Sequence, residues 1–291
     1  MTGGGGSLPV VLVPLGVDDA ALDACLAALD ASTPAGTRVW LIDDAQAGPR
    51  GIDIVQRWLK RTPLSAEYTR RARMAGEVAH LDEALRACGD ADVAVLAPDA
   101  VPTPGWLQRL AACFARDASI ASATPWCNAG ESAGWPRVEP QPPPEDLAAV
   151  ARAAATMPPT HPELPAAVEH AVLLRGNARA KAGGLDAASY ASWYAALTDL
   201  SLRLSGMGWR NVLCETAFVA RVREPAPGEG DMDALAVRWP GWHARIAGFL
   251  MDDPLRGLRD ELGRRLQAQD RDVPQQQLFP LPPAGADAEG G

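Results

Sequence analysis

Four short apolar runs, each followed by a stretch with apolar residues at helical spacing, constrain this chain more than any other feature. "PVVLVPL" precedes "DDAALDACLAALDAS", where Leu22, Cys25, Leu26 and Leu29 recur on one helical face. "TRVWLIDDA" precedes "GIDIVQRWLKRT", with Val55, Trp58 and Leu59 on one side. A weaker "LSAEYTRRA" precedes "GEVAHLDEALRACG", which Gly89 closes, and "ADVAVLAPD" leads into a helix expected to start at Thr103-Pro104. The threonine suits a cap and the proline the first helical position. Strand–helix alternation of this kind predicts an α/β fold with a mostly parallel central sheet and helices on both faces.

Beyond "IASATPW" the pattern changes. Residues 136–165 are proline-rich around a helical "EDLAAVARAAATM"; "EHAVLLRG", "YAALTDLSLRLSGMG" and "WRNVLCETAFVARV" follow. "DMDALAVRWPGWHARIAGFLMDDPLRGLRDELGRRLQ" reads as two helices separated near Asp253-Pro254. The expected organisation is a disordered start (1–7), one α/β domain (8–230), a C-terminal helical extension packed on it (231–269) and a disordered tail (270–291).

Composition excludes several functions. A net charge of -9 lacks the basic footprint of nucleic-acid binding. No run reaches the roughly 18 apolar residues that span a bilayer, and no basic residue precedes Arg38, unlike the start of a secretory signal. The five cysteines are scattered without a CxxC pair, so neither a disulfide framework nor a zinc site is expected, and the cytoplasm is the expected compartment.

Carboxylates stand at two predicted strand ends: Asp43-Asp44 after "VWLI" and Asp99 after "AVLA". The carboxyl ends of parallel strands share one rim of the sheet, where α/β proteins bind ligands. Acids there can bond a base or ribose or hold a divalent cation; equally, they can cap the next helix or stay solvated.

The order of segments resembles the inverting family 2 glycosyltransferases of the GT-A fold, bacterial glycan-assembly branch, over about Leu8–Leu266. The matching segments include "VVLVPLG", "LIDDAQAG", "RMAGEVAHLDEALRACGDADVAVLAPDAVPTPGWLQRL", "ATPWCNAGESAGWPR" and "TDLSLRLSGMGWRNVLCETAFVAR". The resemblance implies sugar transfer from a nucleotide-sugar donor to a glycan or protein acceptor in cell-surface or flagellar glycan assembly, in company with a partner glycosyltransferase. It places Pro14, Asp44, Gly76 and Asp99 on the nucleotide-sugar side and Trp126, Trp135 and Trp193 on the acceptor side. It makes Asp99 the surviving ligand for Mg²⁺ or Mn²⁺.

The departures from that pattern matter as much. The metal triplet reads Ala97-Pro98-Asp99, the acidic pair that supplies the base falls on Ala196-Leu197, and the metal-binding histidine is Arg221. The expectation is therefore no tightly bound metal, with weak or lost activity. A guanidinium at 221 can clamp phosphate in a metal's place. Asp199 is the candidate replacement base, ahead of Asp186 and Glu215. A non-catalytic GT-A protein that binds a nucleotide, a glycan or a partner enzyme is the alternative.

Overall fold

The computed structural model of this chain describes residues 8–223 and 226–272. The expected disordered start, and the tail beyond 272, lie outside the described residues. Residues 270–272, placed in that tail by the sequence, continue the last helix instead.

The first half forms as its pattern dictates. Strands β1 (Val10–Pro14), β2 (Arg38–Asp43), β3 (Ser65–Arg70) and β4 (Val93–Leu96) lie in the order β3-β2-β1-β4, all parallel. Val11 pairs with Val39 and Val10 with Val93. Between them run α1 (Asp19–Ser32), α2 (Pro49–Leu59) and α3 (Glu77–Ala87). The Asp18 carboxylate caps α1 by accepting the Ala20 and Ala21 N–H groups at 3.0 and 3.1 Å. Proline opens α2, and β3, the half-exposed edge strand, carries the weakest apolar signal.

The second half adds β5 (Ala100–Pro102), α4 (Trp106–Arg116), β6 (Ile120–Trp126), α5 (Leu147–Ala155), β7 (Ala171–Leu174), α6 (Gly176–Lys181), α7 (Trp193–Gly206) and β8 (Arg210–Arg221). The full sheet order is β3-β2-β1-β4-β7-β6-β8-β5, with β7 and β5 running against the other six strands. The expected Thr103 cap does not form. Gly105 turns the chain at φ +82° and α4 starts beyond it, while the Thr103 hydroxyl donates to the Phe218 carbonyl. Where β7 meets α6, a Cβ on Gly176 would sit 2.1 Å from the Asp90 carbonyl, so only glycine fits.

The C-terminal segment is three helices, not two: α8 (Asp231–Arg238), α9 (Trp242–Asp252) and α10 (Arg256–Asp272). Pro240, which has no backbone N–H to donate, makes the additional break. One apolar layer covers the α1/α2/α4 face of the sheet through Leu22, Leu26, Trp58 and Trp106. The opposite face is filled by Leu81, Leu85, Leu197 and Leu200. A further cluster joins Trp126, Trp135 and Phe218 to Leu255 and Leu262, seating the C-terminal helices on the body. Among the described residues no helix is long and apolar enough to cross a membrane.

Candidate functional site

The carboxyl ends of β1, β2 and β4 meet at one rim and bound a crevice with two lobes, about 220 and 210 Å³. Pro14, Gly16, Glu77 and Pro98 line both lobes. Asp44, Gln46 and His80 complete the smaller; Asp18, Asp99, Glu169, Trp193, Arg221 and Arg223 contribute to the larger. Of the residues singled out in the sequence, Pro14, Asp44, Asp99, Arg221 and Trp193 therefore come together. Gly76 stands at the head of α3 with φ +99°, beside the smaller lobe.

The two acids after β2 have different tasks. Asp43 is fully buried and closes the turn into α2: it accepts the Gln46 and Ala47 N–H groups, the Tyr68 hydroxyl and an Arg70 N–H. Asp44 accepts the Ala75 N–H with both oxygens, at 2.8 and 3.1 Å, and the Gly76 N–H at 2.8 Å. It thereby ties the end of β2 to the start of α3, and the Met74-Ala75-Gly76 loop takes its position from that carboxylate.

Asp99 sits opposite a guanidinium. Arg221 directs Nε and Nη2 at the two Asp99 oxygens, 3.3 and 3.2 Å away, and donates Nη1–H to Glu169. The Arg223 backbone N–H also donates to Asp99 at 3.0 Å. Asn128 fixes the Arg221 backbone from both sides, accepting its N–H and donating to its carbonyl. All three ionic side chains are buried. Burial disfavours the Arg221 charge, but Glu169 and Asp99 outweigh it and push the guanidinium pKa up.

A divalent ion does not fit these residues. Both oxygens of the one surviving acid face an arginine, and among the described residues no three His, Cys, Asp or Glu side chains are grouped to hold a metal. Asp99 is half of an ion pair, with both oxygens facing Arg221. Three of the five Arg221 N–H donors are committed to these carboxylates.

The charge of the larger lobe follows. Asp18, Glu77, Asp99 and Glu169 face Arg221 and Arg223, four carboxylates against two guanidinium groups. Arg223 pairs with Asp18. Burial raises the Glu169 carboxyl above its usual range, against the pull of Arg221. Burial also raises Glu77, with the Trp193 N–H opposing and Asp231 and Glu169 adding.

Several expected site residues lie elsewhere. Asp199, on α7, is fully buried and engaged by Arg203 (2.8 Å), Trp239 (2.9 Å) and Arg238 (3.1 Å), and it does not line the crevice. Trp126 and Trp135 are core: their indole N–H groups donate to the Glu215 and Arg259 carbonyls, and Trp135 packs edge-on to Phe218. Asp186 bonds Ser189 and Arg238, and Glu215 is buried against His161. Ala196 and Leu197 are buried residues of α7. Glu77 and Glu169 were missed. Each stands next to an element boundary, Glu77 opening α3 and Glu169 two residues before β7, and that was the available signal.

Sheet order, crevice and helical cover define the class as a GT-A glycosyltransferase domain, and the solved structures it resembles carry that fold. GalNAc-T7 with UDP, GalNAc and Mn²⁺ superposes with a TM-score of 0.62 at 13% identity, over 97% of this chain and 60% of that one. A mannosyltransferase from Pyrobaculum calidifontis in complex with GDP-Man and Mn²⁺ gives 0.58 at 17%, over 90% and 75%. Residues 1-349 of S. aureus TarS with UDP-GlcNAc give 0.56 at 11%, over 90% and 72%. The model of glycosyl transferase family 2 matches residues 11–161, more than half of the sequence, and the chain belongs to that family. No curated protein matches it in sequence.

Proposed function

We propose that this chain binds a nucleotide-sugar donor in the crevice without a resident divalent metal. It transfers the sugar slowly to a glycan or protein acceptor in cell-surface or flagellar glycan assembly, in the cytoplasm and beside a partner glycosyltransferase. The observation that carries the reading is the crevice at the carboxyl rim, where Asp44 and Asp99 line adjoining lobes. Structural relatives hold UDP, GDP-Man and UDP-GlcNAc.

In inverting transfer the acceptor hydroxyl attacks the anomeric carbon as the bond to the diphosphate breaks. The hydroxyl proton goes to a carboxylate and the bonding pair leaves on the phosphate. Ala196 and Leu197 offer no proton acceptor. Glu77 and Glu169 line the crevice, and burial raises both above the usual carboxylate range, which suits proton uptake nearer neutral pH. The two unused Arg221 N–H groups are donors for a phosphate oxygen. The excess of carboxylates opposes the diphosphate and supports slow turnover.

The buried Ala196-Leu197 pair favours a second reading, a non-catalytic GT-A protein that binds a nucleotide, a glycan or a partner enzyme. A thermal-shift panel of UDP, GDP, UDP-GlcNAc and GDP-Man, with EDTA or Mn²⁺, tests the first reading. At 100 times its dissociation constant a ligand adds about 2.7 kcal/mol of stability. The expected result is a shift with at least one nucleotide that EDTA leaves unchanged, followed by slow nucleoside-diphosphate release with acceptor. No shift with any nucleotide at millimolar concentration overturns donor binding. Binding without release favours the non-catalytic reading.

A further inference from the structure

The crevice holds a cation already, supplied by the chain. We infer that the Arg221 guanidinium is a built-in counter-ion filling a latent divalent-cation site, whose carboxylates are Asp99 and Glu169. Removing that side chain opens the site to Mn²⁺. The inference rests on ion geometry alone and stands whether or not the crevice performs transfer.

Three observations carry it. First, one planar cation spans two carboxylates that come from distant parts of the chain, 122 and 52 residues away, and contacts both. Second, Asp99 and Glu169 are each only 6% exposed with the guanidinium in place, so its loss leaves two neighbouring carboxylates with only the lobe's water to screen them. Buried like charges without a counter-ion are strongly destabilising, and a cation or a proton must enter. Third, the gap opens on the larger lobe, which Asp99, Glu169 and Arg221 all line. A divalent ion can arrive there with part of its water shell. Mg²⁺-like ions keep several waters and are commonly held by one or two carboxylates, so the two acids need not close to direct contact distance.

The neighbouring groups set the electrostatics of the exchange. Arg223 reaches Asp99 only through its backbone N–H, its guanidinium being paired with Asp18. Glu77 lines the same lobe, and its carboxylate accepts the Trp193 N–H at 3.0 Å. Without Arg221 the lobe keeps four carboxylates and one guanidinium, an environment that attracts divalent cations. With it, the position between Asp99 and Glu169 is taken by a group that no metal displaces without breaking both ion pairs.

The test is calorimetry and thermal shift with Mn²⁺ alone, on metal-stripped protein without nucleotide. Wild type and Arg221→Lys, which keeps the charge, should show no Mn²⁺ binding into the low millimolar range. Arg221→Ala should bind at least about tenfold more tightly than wild type, about 1.4 kcal/mol, and its Tm should rise with Mn²⁺. Adding Asp99→Asn to Arg221→Ala should abolish the gain. Should Arg221→Ala not fold, Arg221→His, whose imidazole can ligate when deprotonated, is the second variant. Folding of either variant only when Mn²⁺ is present supports the inference. Two outcomes overturn it: folded Arg221→Ala or Arg221→His binding Mn²⁺ no better than wild type, or wild type binding Mn²⁺ tightly through Asp99.

Discussion

His170, the residue after Glu169, makes the fold sensitive to acid, and the size of the effect follows from where the ring lies. The residue is fully buried, one position before β7, and neither ring nitrogen has a hydrogen-bond partner. Burial and then the Arg221 charge push its pKa down to about 3, while the nearby Pro125 carbonyl favours the charged form too weakly to prevent this. In the unfolded chain the same imidazole titrates near 6.5. Between those values the unfolded state binds more protons, so the contribution to stability is complete above about 6.5 and is lost as pH falls toward 3. The loss is on the order of 1 kcal/mol at pH 5.5 and of 3 kcal/mol at pH 4.5. Those two figures hardly change for any folded pKa below about 4. Glu77 and Glu169, whose raised pKa values give stability that is lost as pH rises, slope the other way. The measurement is therefore a difference: urea midpoints of wild type and His170→Leu at pH 7.5, 5.5 and 4.5. The variant should match or exceed wild-type stability at pH 7.5, having no unpaired ring nitrogens to bury. Its advantage should then grow by about 2–3 kcal/mol on going to pH 4.5. A difference that stays constant with pH refutes a buried neutral imidazole at this position.

Other substitutions separate ligand contacts from scaffolding. Asp44→Ala removes two charge-assisted hydrogen bonds at the head of α3 and should cost about 2–4 kcal/mol by urea unfolding. Faster hydrogen exchange at the Ala75 and Gly76 amides should accompany it, and unchanged exchange would show that the loop holds itself. Asp199→Ala leaves Arg203 and Arg238 without their buried partner and should cost about 2–4 kcal/mol, with nucleotide affinity unaltered. A selective loss of turnover in a fully stable Asp199→Ala protein would return that residue to the site. Glu169→Gln takes one negative charge from the lobe. At about 7 Å and an effective dielectric of about 20–80, a unit charge contributes about 0.6–2.4 kcal/mol against each charge on a diphosphate. UDP or GDP should accordingly bind several-fold more tightly while sugar transfer falls; weaker binding would mean that Glu169 holds the ligand.

What the sequence made legible was local, and what it hid was direction and distance. The strands and helices up to β4 could be read because a period of two alternates with a period near 3.6, with glycine and proline between them. That pattern also placed Asp44 and Asp99 at strand ends, on the assumption that successive strands point the same way. A strand's composition carries no arrow. The run "AVLL" reads the same whether it lies parallel or antiparallel to β4, and it lies antiparallel. That reversal brings the start of β7, and Glu169 with it, to the rim where the parallel strands end. The three residues of β5 were too few to register any period. Trp126 and Trp135 misled for a related reason. They stand near the acceptor side in chain order, but Leu255 and Leu262, more than a hundred residues later, pack into the same apolar cluster and shut them in.

Arg221 shows how far residue type alone can be pushed. A guanidinium at the end of a strand, in a family position suited to a metal ligand, invites a phosphate as its counter-ion, because five donors and a fixed charge match phosphate well. The same properties match a carboxylate equally well, and two carboxylates already lie within reach. An external diphosphate must therefore compete with groups that are covalently part of the chain and immobilised by folding, with no association entropy left to lose. A bound divalent ion brings two positive charges and open coordination positions to a donor, whereas this arginine brings one charge, already faced by two negative ones. The pairing of this arginine with Asp99 and Glu169 neutralises part of its charge and leaves less positive potential in the crevice.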